Sequence, residues 1–422
     1  MLKKRVVLLA ACLVLGMGQA SASDWQTSVD LRERYQSFDN FDFNSSVDNN
    51  AWELDTRLYI KVKRDFDNGF SVFLQPQAIS TTYHGTVTGT QKLSQADLLQ
   101  SYLNYKSGDF SVRIGRQQLV YGDQRLLGHL GWKDVARTFD GIKAGYQSGD
   151  VSVDAFVVSP ADIVAMTPSP TSPRGDALVT WDKRVLTGLY GTYKVDKKTG
   201  VDAYFIHWKH NDGIGRNLNT YGTRGFGVWD AVDATAEAVF QSGTWLTGVS
   251  QSASAYALKA GYTIDAWKTR FGIEYDYSPG DDKTDAGTHK NFVFPFHTNH
   301  AHYGEMDRFS WANMKDIRLS VKTSPTQNLT LHGNVHFLSL DKAQGDWLNV
   351  VGAGVLYAGN AAYTETDAGT EVDLKLVYKV VEMQGLTLVV NYSVFNPGAA
   401  VLERTGSQDS AVFGYLIANY KF

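Results

Sequence analysis

One cysteine, Cys12, occurs in 422 residues, and prolines number only nine. The chain therefore has no disulfide framework, and its long backbone runs are uninterrupted by helix or strand breakers. No run of eighteen apolar residues follows the N-terminal region, which excludes a transmembrane helix. Blocks of like charge and basic tracts are missing too, which argues against a nucleic-acid partner. What is abundant is aromatic: 22 tyrosines, 21 phenylalanines and 10 tryptophans, a composition that favours strands.

The N-terminus carries Lys3, Lys4 and Arg5, then an apolar run from Val6 to Gly18, then Ala20-Ser21-Ala22. This is the pattern of a secretory signal peptide over residues 1–22, leaving 23–422 as the mature domain. Leu9-Ala10-Ala11-Cys12 also offers a lipoprotein box, but the apolar run continues well past the cysteine. Cleavage after Ala22 removes the cysteine and three of the 40 basic residues and none of the 44 acidic ones, taking the formal charge from -4 to -7.

From Ala51 to Arg64, Trp52, Leu54, Thr56, Leu58, Ile60 and Val62 alternate with Glu53, Asp55, Arg57, Tyr59, Lys61 and Lys63. A strand sends alternate residues to opposite faces, so one face requires an apolar medium and the other water. Without complementary helices that medium is lipid. Helices and closed barrels are the structures that satisfy every backbone group there, and the barrel remains.

Eighteen strands are expected. They are Trp25–Tyr35, Ala51–Arg64, Phe70–Tyr83, Ala96–Lys106, Phe110–Leu119, Phe139–Gln147, Val151–Ser159, Val185–Val195 and Val201–His210. Leu218–Phe226, Val232–Gln241, Ser252–Tyr262, Thr269–Tyr277, Asp316–Thr323, Leu329–Leu338, Thr370–Val381, Leu386–Phe395 and Ala411–Phe422 complete the set, with 211–251 the least periodic stretch. Short turns such as Ser107-Gly108-Asp109 and Ser148-Gly149-Asp150 alternate with longer polar segments near 37–50, 84–95, 120–138, 160–184, 278–313, 340–369 and 396–410. That alternation predicts an all-β transmembrane antiparallel barrel with short periplasmic turns and long extracellular loops, in a Gram-negative outer membrane. The chain closes on an alternating strand ending in Phe422, typical of such barrels.

Basic residues recur on the face opposite the apolar one: Arg32, Arg34, Arg57, Lys61, Lys63, Arg113 and Lys143, then Arg270, Arg318 and Lys375. Fixed guanidinium groups in a lumen bind carboxylates through paired hydrogen bonds and set anion selectivity. The same residues equally suit charge pairs with Asp30, Asp55, Glu274, Glu371 and Asp373 that simply fill a wide barrel. Tyr59 on that face offers either a stacking surface for sugar rings or an interfacial anchor.

The stretch from Arg113 contains Gly115-Arg116-Gln117, then Tyr121-Gly122-Asp123-Gln124-Arg125, then Arg137-Thr138-Phe139-Asp140-Gly141. These motifs resemble the alginate-export family of outer-membrane porins. Asn299-His300-Ala301-His302-Tyr303-Gly304-Glu305-Met306-Asp307, Gly369–Leu374 and Phe395-Asn396-Pro397-Gly398 extend the resemblance over nearly the whole mature chain. It implies an eighteen-stranded barrel with an arginine-rich constriction passing a polyuronate such as alginate. On that reading Arg116 and Arg125, with Arg57, Arg113, Arg137 and Lys143, line the pore, and Asp123 orients the arginines. The competing structural role for Arg125 and Arg137 is loop-folding pairing with Asp123 and Asp134.

His297, His300 and His302 with Glu305 and Asp307 hold metal-ligand types without the helical His-Glu-x-x-His spacing, and read as a hydrogen-bonded loop. An outer-wall hydrolase based on His207, His210, His332 or His336 lacks any nucleophile elbow. No enzyme, metal or cofactor is expected. The expected partners are outer-membrane lipid, an anionic saccharide and periplasmic export or uptake proteins, with the barrel a monomer. A porin for small organic anions or neutral oligosaccharides is the second reading.

Overall fold

The computed structural model describes residues 25–86, 89–161, 184–210, 213, 215–293, 296–298, 300–348 and 355–422. The expected signal peptide and most of the 160–184 loop lie outside the described residues.

Strands β1 (Trp25–Asp39), β2 (Ala51–Asp65), β3 (Phe70–Gly85), β4 (Gly89–Ser107), β5 (Phe110–Gln117) and β6 (Phe139–Ser148) open the chain. They are followed by β7 (Val151–Pro160), β8 (Arg184–Lys194), β9 (Gly200–His210), β10 (Asn217–Trp229), β11 (Val232–Leu246) and β12 (Val249–Ile264). The wall is completed by β13 (Thr269–Ser278), β14 (Met314–Thr323), β15 (Leu329–Ser339), β16 (Asp367–Lys379), β17 (Leu386–Pro397) and β18 (Ala411–Lys421). Each strand pairs antiparallel with the next, and β1 pairs with β18 from Asp30↔Lys421 to Asp39↔Val412, so the sheet closes with no free side. The backbones of Val29 and Phe422 exchange hydrogen bonds at that seam. Closure satisfies the ladder groups that an open edge leaves to solvent.

All eighteen expected strands are present. The segment expected as a loop near 84–95 is instead strand, since β3 and β4 stay in register to Gly85↔Gly89. The weak stretch 211–251 is ordinary hairpin, β10 pairing β11 from Asn217↔Thr244 to Trp229↔Val232. Its low periodicity reflects outward Gly225, Gly227, Ala234 and Ala236 where other strands carry large apolar residues.

Alternation sorts the wall as the pattern requires. Leu54, Ile114, Ile142, Leu258, Ile273 and Leu374 are exposed on the outer face, and Phe110, Tyr193, Trp229, Tyr262, Trp267 and Phe422 ring the rim with short turns. An apolar band bordered by aromatics is what lipid selects.

Two long connections fold inward at the opposite rim. The β5–β6 loop (118–138) and the β13–β14 loop (279–313) meet where Leu127 bridges Phe296 and Gly128 N–H donates to the Phe296 carbonyl at 2.8 Å. Phe139, Phe292, Phe296, Tyr303, Phe309 and Trp311 are buried between these loops and the wall, so this end holds an apolar aromatic plug. The β17–β18 connection adds a short helix, α1 (Ala399–Thr405), whose Val401 is buried.

Candidate functional site

The lumen is built from inward side chains of the strands and from the two infolded loops. Arg34 and Asp55 are cross-strand partners on β1 and β2. Arg34 Nη2 lies 2.9 Å from Asp55 and 2.9 Å from Asp134, while Nη1 donates to the Trp132 carbonyl at 2.6 Å. Arg32 donates to Asp134 at 2.6 Å and to Trp132 O at 3.1 Å. Arg57 donates to the carbonyls of Gly131 at 2.9 Å and Lys133 at 3.3 Å, with its guanidinium 4.2 Å over Tyr59. These three arginines bind the β5–β6 loop to the wall. Tyr59 is buried under Arg57, which removes it both as a sugar platform and as an interfacial anchor.

Burial raises the Asp134 carboxyl, but Arg34 and Arg32 outweigh it and hold the group below the ordinary carboxylate range. Glu53, Asp55 and Asp134 bring three carboxylates within 4.8 Å of one another. The Arg34 guanidinium sits among them, supplying the positive charge there.

Arg125 is buried beneath the aromatic plug, paired with Glu274 and 3.1 Å from Asp276, and donates to the Tyr303 hydroxyl at 2.9 Å. Arg137 donates to the carbonyls of His297 at 2.8 Å and Gly128 at 3.2 Å; burial and neighbouring Arg184 lower its pKa to about 9. Both arginines fasten loops, with partners other than the expected Asp123 and Asp134. Asp123 pairs with Arg224 of β10 at 2.5 Å, and Arg224 also reaches Asp202 at 2.8 Å.

Arg116 is on the wrong side of the wall for a lining residue. It is the register partner of Asp140, two positions along from Ile114↔Ile142, which are exposed on the outer face. Its Nε and Nη2 pair with Asp140 at 2.9 and 3.0 Å, and Nη1 lies 3.7 Å from Asp97. Gly115 and Gly141 face each other at φ 126° and 156°, where an added Cβ would come within 2.3 Å of a neighbouring carbonyl oxygen. The two motifs thus form a staple where the chain leaves the wall and turns inward.

Arg113 and Lys143, also register partners, do face inward. With Arg224, Tyr121 and Tyr190 they line a cavity of about 610 Å³. Tyr121 stacks on Tyr190 at 4.5 Å and 22°, and Lys143 pairs with Asp154 at 2.8 Å. The Arg113 guanidinium lies 4.2 Å over Tyr102, and among the described residues no carboxylate pairs with it.

Across the lumen runs a row that the sequence showed only in pieces. Arg270↔Lys322, Lys322↔His332 and His332↔Lys375 are successive cross-strand partners on β13 to β16. With Lys259 and Arg318 they line a second cavity of about 230 Å³. Arg270 pairs with Asp233 at 2.6 Å, Lys375 with Glu305 and Arg318 with Glu274, while Lys259 and Lys322 have no ion pair among the described residues. Lys259, Lys322 and Arg224 carry no sequence signal of this grouping, because inward alternation alone does not reveal which residues become lateral neighbours.

The histidines take separate partners. His300 faces Glu305 and Asp307, whereas His302 Nε2 lies 2.8 Å from the Asp123 carbonyl. Burial and Arg125 lower the His302 pKa to about 3. His336 lies buried between Asp316 at 2.7 Å and Asp373 at 3.6 Å, and His207 contacts Asn219 at 2.9 Å on the outer wall.

A closed eighteen-stranded barrel with infolded loops and a charged interior is the architecture of the large outer-membrane porins. Residues 25–415 match the Alginate export family, and the chain belongs to that family. No curated protein matches at a significant level. The fold is similar to Pseudomonas aeruginosa OccK5 (OpdH), with a TM-score of 0.63 and 11% identity over 95% of this chain and 98% of that one. OccK2 (OpdF) from the same organism, solved in complex with glucuronate, gives a TM-score of 0.61 and 11% identity over 95% and 98%. P. aeruginosa OprD gives 0.58 and 11% over 95% of each chain.

Proposed function

We propose that the protein is a passive channel of the Gram-negative outer membrane for anionic saccharides, with the long loops outside the cell and both termini periplasmic. The observation that carries this reading is the basic row Arg270–Lys322–His332–Lys375, facing the lumen on four consecutive strands, in which Arg270, Lys322 and Lys375 carry the fixed charge, with Lys259 close by. Fixed positive charges along one wall lower the energy of a carboxylate in transit, and the interspersed Asp233, Glu274 and Glu305 keep binding weak enough for release. Arg113 and Lys143 beside stacked Tyr121 and Tyr190 add a chamber in which cations and ring faces together suit a sugar acid.

Arg57, Arg125 and Arg137 enter this reading as anchors of the constricting loops; Arg113, Lys143, Arg224 and the β12–β16 cations form the lining. Because the two infolded loops occupy the extracellular half, we favour short uronate oligomers over long polymer. The glucuronate bound by OccK2 is a property of that protein and supports the class of solute by analogy alone. The barrel is taken as a monomer, with periplasmic delivery or uptake proteins supplying any direction.

The test is block of single-channel current by glucuronate and by short uronate oligomers in planar bilayers. Graded block that neutral sugars of equal size do not produce is expected. Equal block by neutral sugars would favour the general-porin reading.

A further inference from the structure

The two inward loops meet at His300. Its imidazole lies face to face with Trp132 of the β5–β6 loop, centroids 3.7 Å apart and planes at 11°. Both ring nitrogens face carboxylates of its own loop: Nε2 is 2.8 Å from Glu305 and Nδ1 is 3.3 Å from Asp307. A neutral imidazole carries one N–H, so it would turn a lone pair toward one of the two carboxylates. Only the imidazolium suits both. Trp132 in turn is held by the wall, its carbonyl accepting from Arg34 and Arg32 and its ring lying 4.5 Å from the Arg34 guanidinium.

We propose that His300 is a proton-operated latch: as imidazolium it locks Glu305 and Asp307 of the β13–β14 loop against Trp132 of the β5–β6 loop, and its deprotonation loosens this junction while the Gly128–Phe296 and Arg137–His297 links between the same loops stay made. The wall groups around it belong to the same cluster. Lys375 of β16 and the Tyr415 hydroxyl of β18 both engage Glu305, Lys375 at Oε1 and Tyr415 at Oε2, the oxygen that His300 also faces. Glu371 of β16 accepts from Met306 N–H at 2.8 Å, and Asp373 lies on the same inward row. These groups fix Glu305 and its neighbours in place, leaving the imidazole as the part whose donor count changes with pH.

His300 lines the 230 Å³ lumenal cavity, so protons reach it from the channel water. Burial pushes the imidazole down, and Asp307 and Glu305 outweigh it, holding the pKa above the ordinary 6.5. A raised folded value gives a contribution that is full below 6.5 and lost as pH rises through the elevated one. The latch is therefore closed below pH 6.5 and opens as pH rises through the elevated value.

The test is hydrogen–deuterium exchange of peptides from 118–138 and 296–310 in detergent-solubilised protein between pH 6 and 9.5, corrected for the intrinsic pH dependence of exchange. Heat-modifiable migration on gels verifies that each variant forms a barrel. The wild type is expected to lose protection about tenfold on the alkaline side, the scale of one charge-assisted hydrogen bond. His300→Gln is expected to lack that protection at every pH, and His300→Lys, charged throughout, to lack the alkaline step. Equal protection in wild type and His300→Gln, or an unchanged step in His300→Lys, would overturn the latch. Exchange is read without current, so a latch that responds as expected in a barrel that does not conduct would refute the channel and leave the latch standing.

Discussion

Arg116 and Asp140 form a two-pronged ion pair, 2.9 and 3.0 Å long, on the outer face of the wall where β5 and β6 reach the long-loop rim. The arginine of the most recognisable motif is therefore a staple of the wall. Arg116→Gln is expected to leave ion selectivity unchanged while lowering stability by about 1 kcal/mol or less, the scale of an exposed pair. Reversal potentials and a urea midpoint measure the two effects.

Neutralising a lining cation has the opposite signature. Lys322→Gln or Arg113→Gln is expected to reduce the anion-to-cation permeability ratio by about twofold, as one charge about a Debye length from the ion path should. The urea midpoint should stay where it was for Lys322→Gln, which breaks no ion pair among the described residues, and fall slightly for Arg113→Gln, which gives up the contact over Tyr102. Reversal potentials under a salt gradient read the change directly.

The wall was legible in the sequence because lipid outside and water inside impose a period of two that nothing else in the chain contests. Trp52 to Val62 against Glu53 to Lys63 already states both environments. Side-chain partnership was not legible, because it depends on register and on where loops fold. Arg57 faces the lumen as alternation requires, yet its partners are carbonyls of Gly131 and Lys133, more than seventy residues away. The burial of Arg125 and Arg137 is not legible, because loop residues carry no periodicity to say whether they are buried. Arg116 shares the parity of outward Ile114, so the period of two alone places it on the outer face, against the lining role that its motif implies.

Arg34 is expected to be the strongest single anchor of the β5–β6 loop. Arg34→Met leaves Asp55 and Asp134 buried without their shared partner, a loss of about 3–5 kcal/mol. Denaturation of the refolded barrel should show that loss, and single-channel traces should show a wider, noisier pore as the loop leaves the lumen.

The same anchor has an acid limit. Arg34 and Arg32 hold the Asp134 carboxyl below its ordinary 3.8, so its contribution is full above that value and is lost as pH falls through the depressed one. Pepsin is expected to spare residues 118–138 at pH 4 and to cut them progressively faster as pH is lowered below 3.8, and Asp134→Asn should be cut at pH 4 already.

The most direct test of the cationic lumen is the reversal potential of the wild-type channel in a planar bilayer under a potassium chloride gradient, repeated with Lys259 and Lys322 both changed to glutamine. The account predicts anion preference in the wild type and a marked fall in the double variant. Cation preference in the wild type, or no change on losing both lysines, would contradict it.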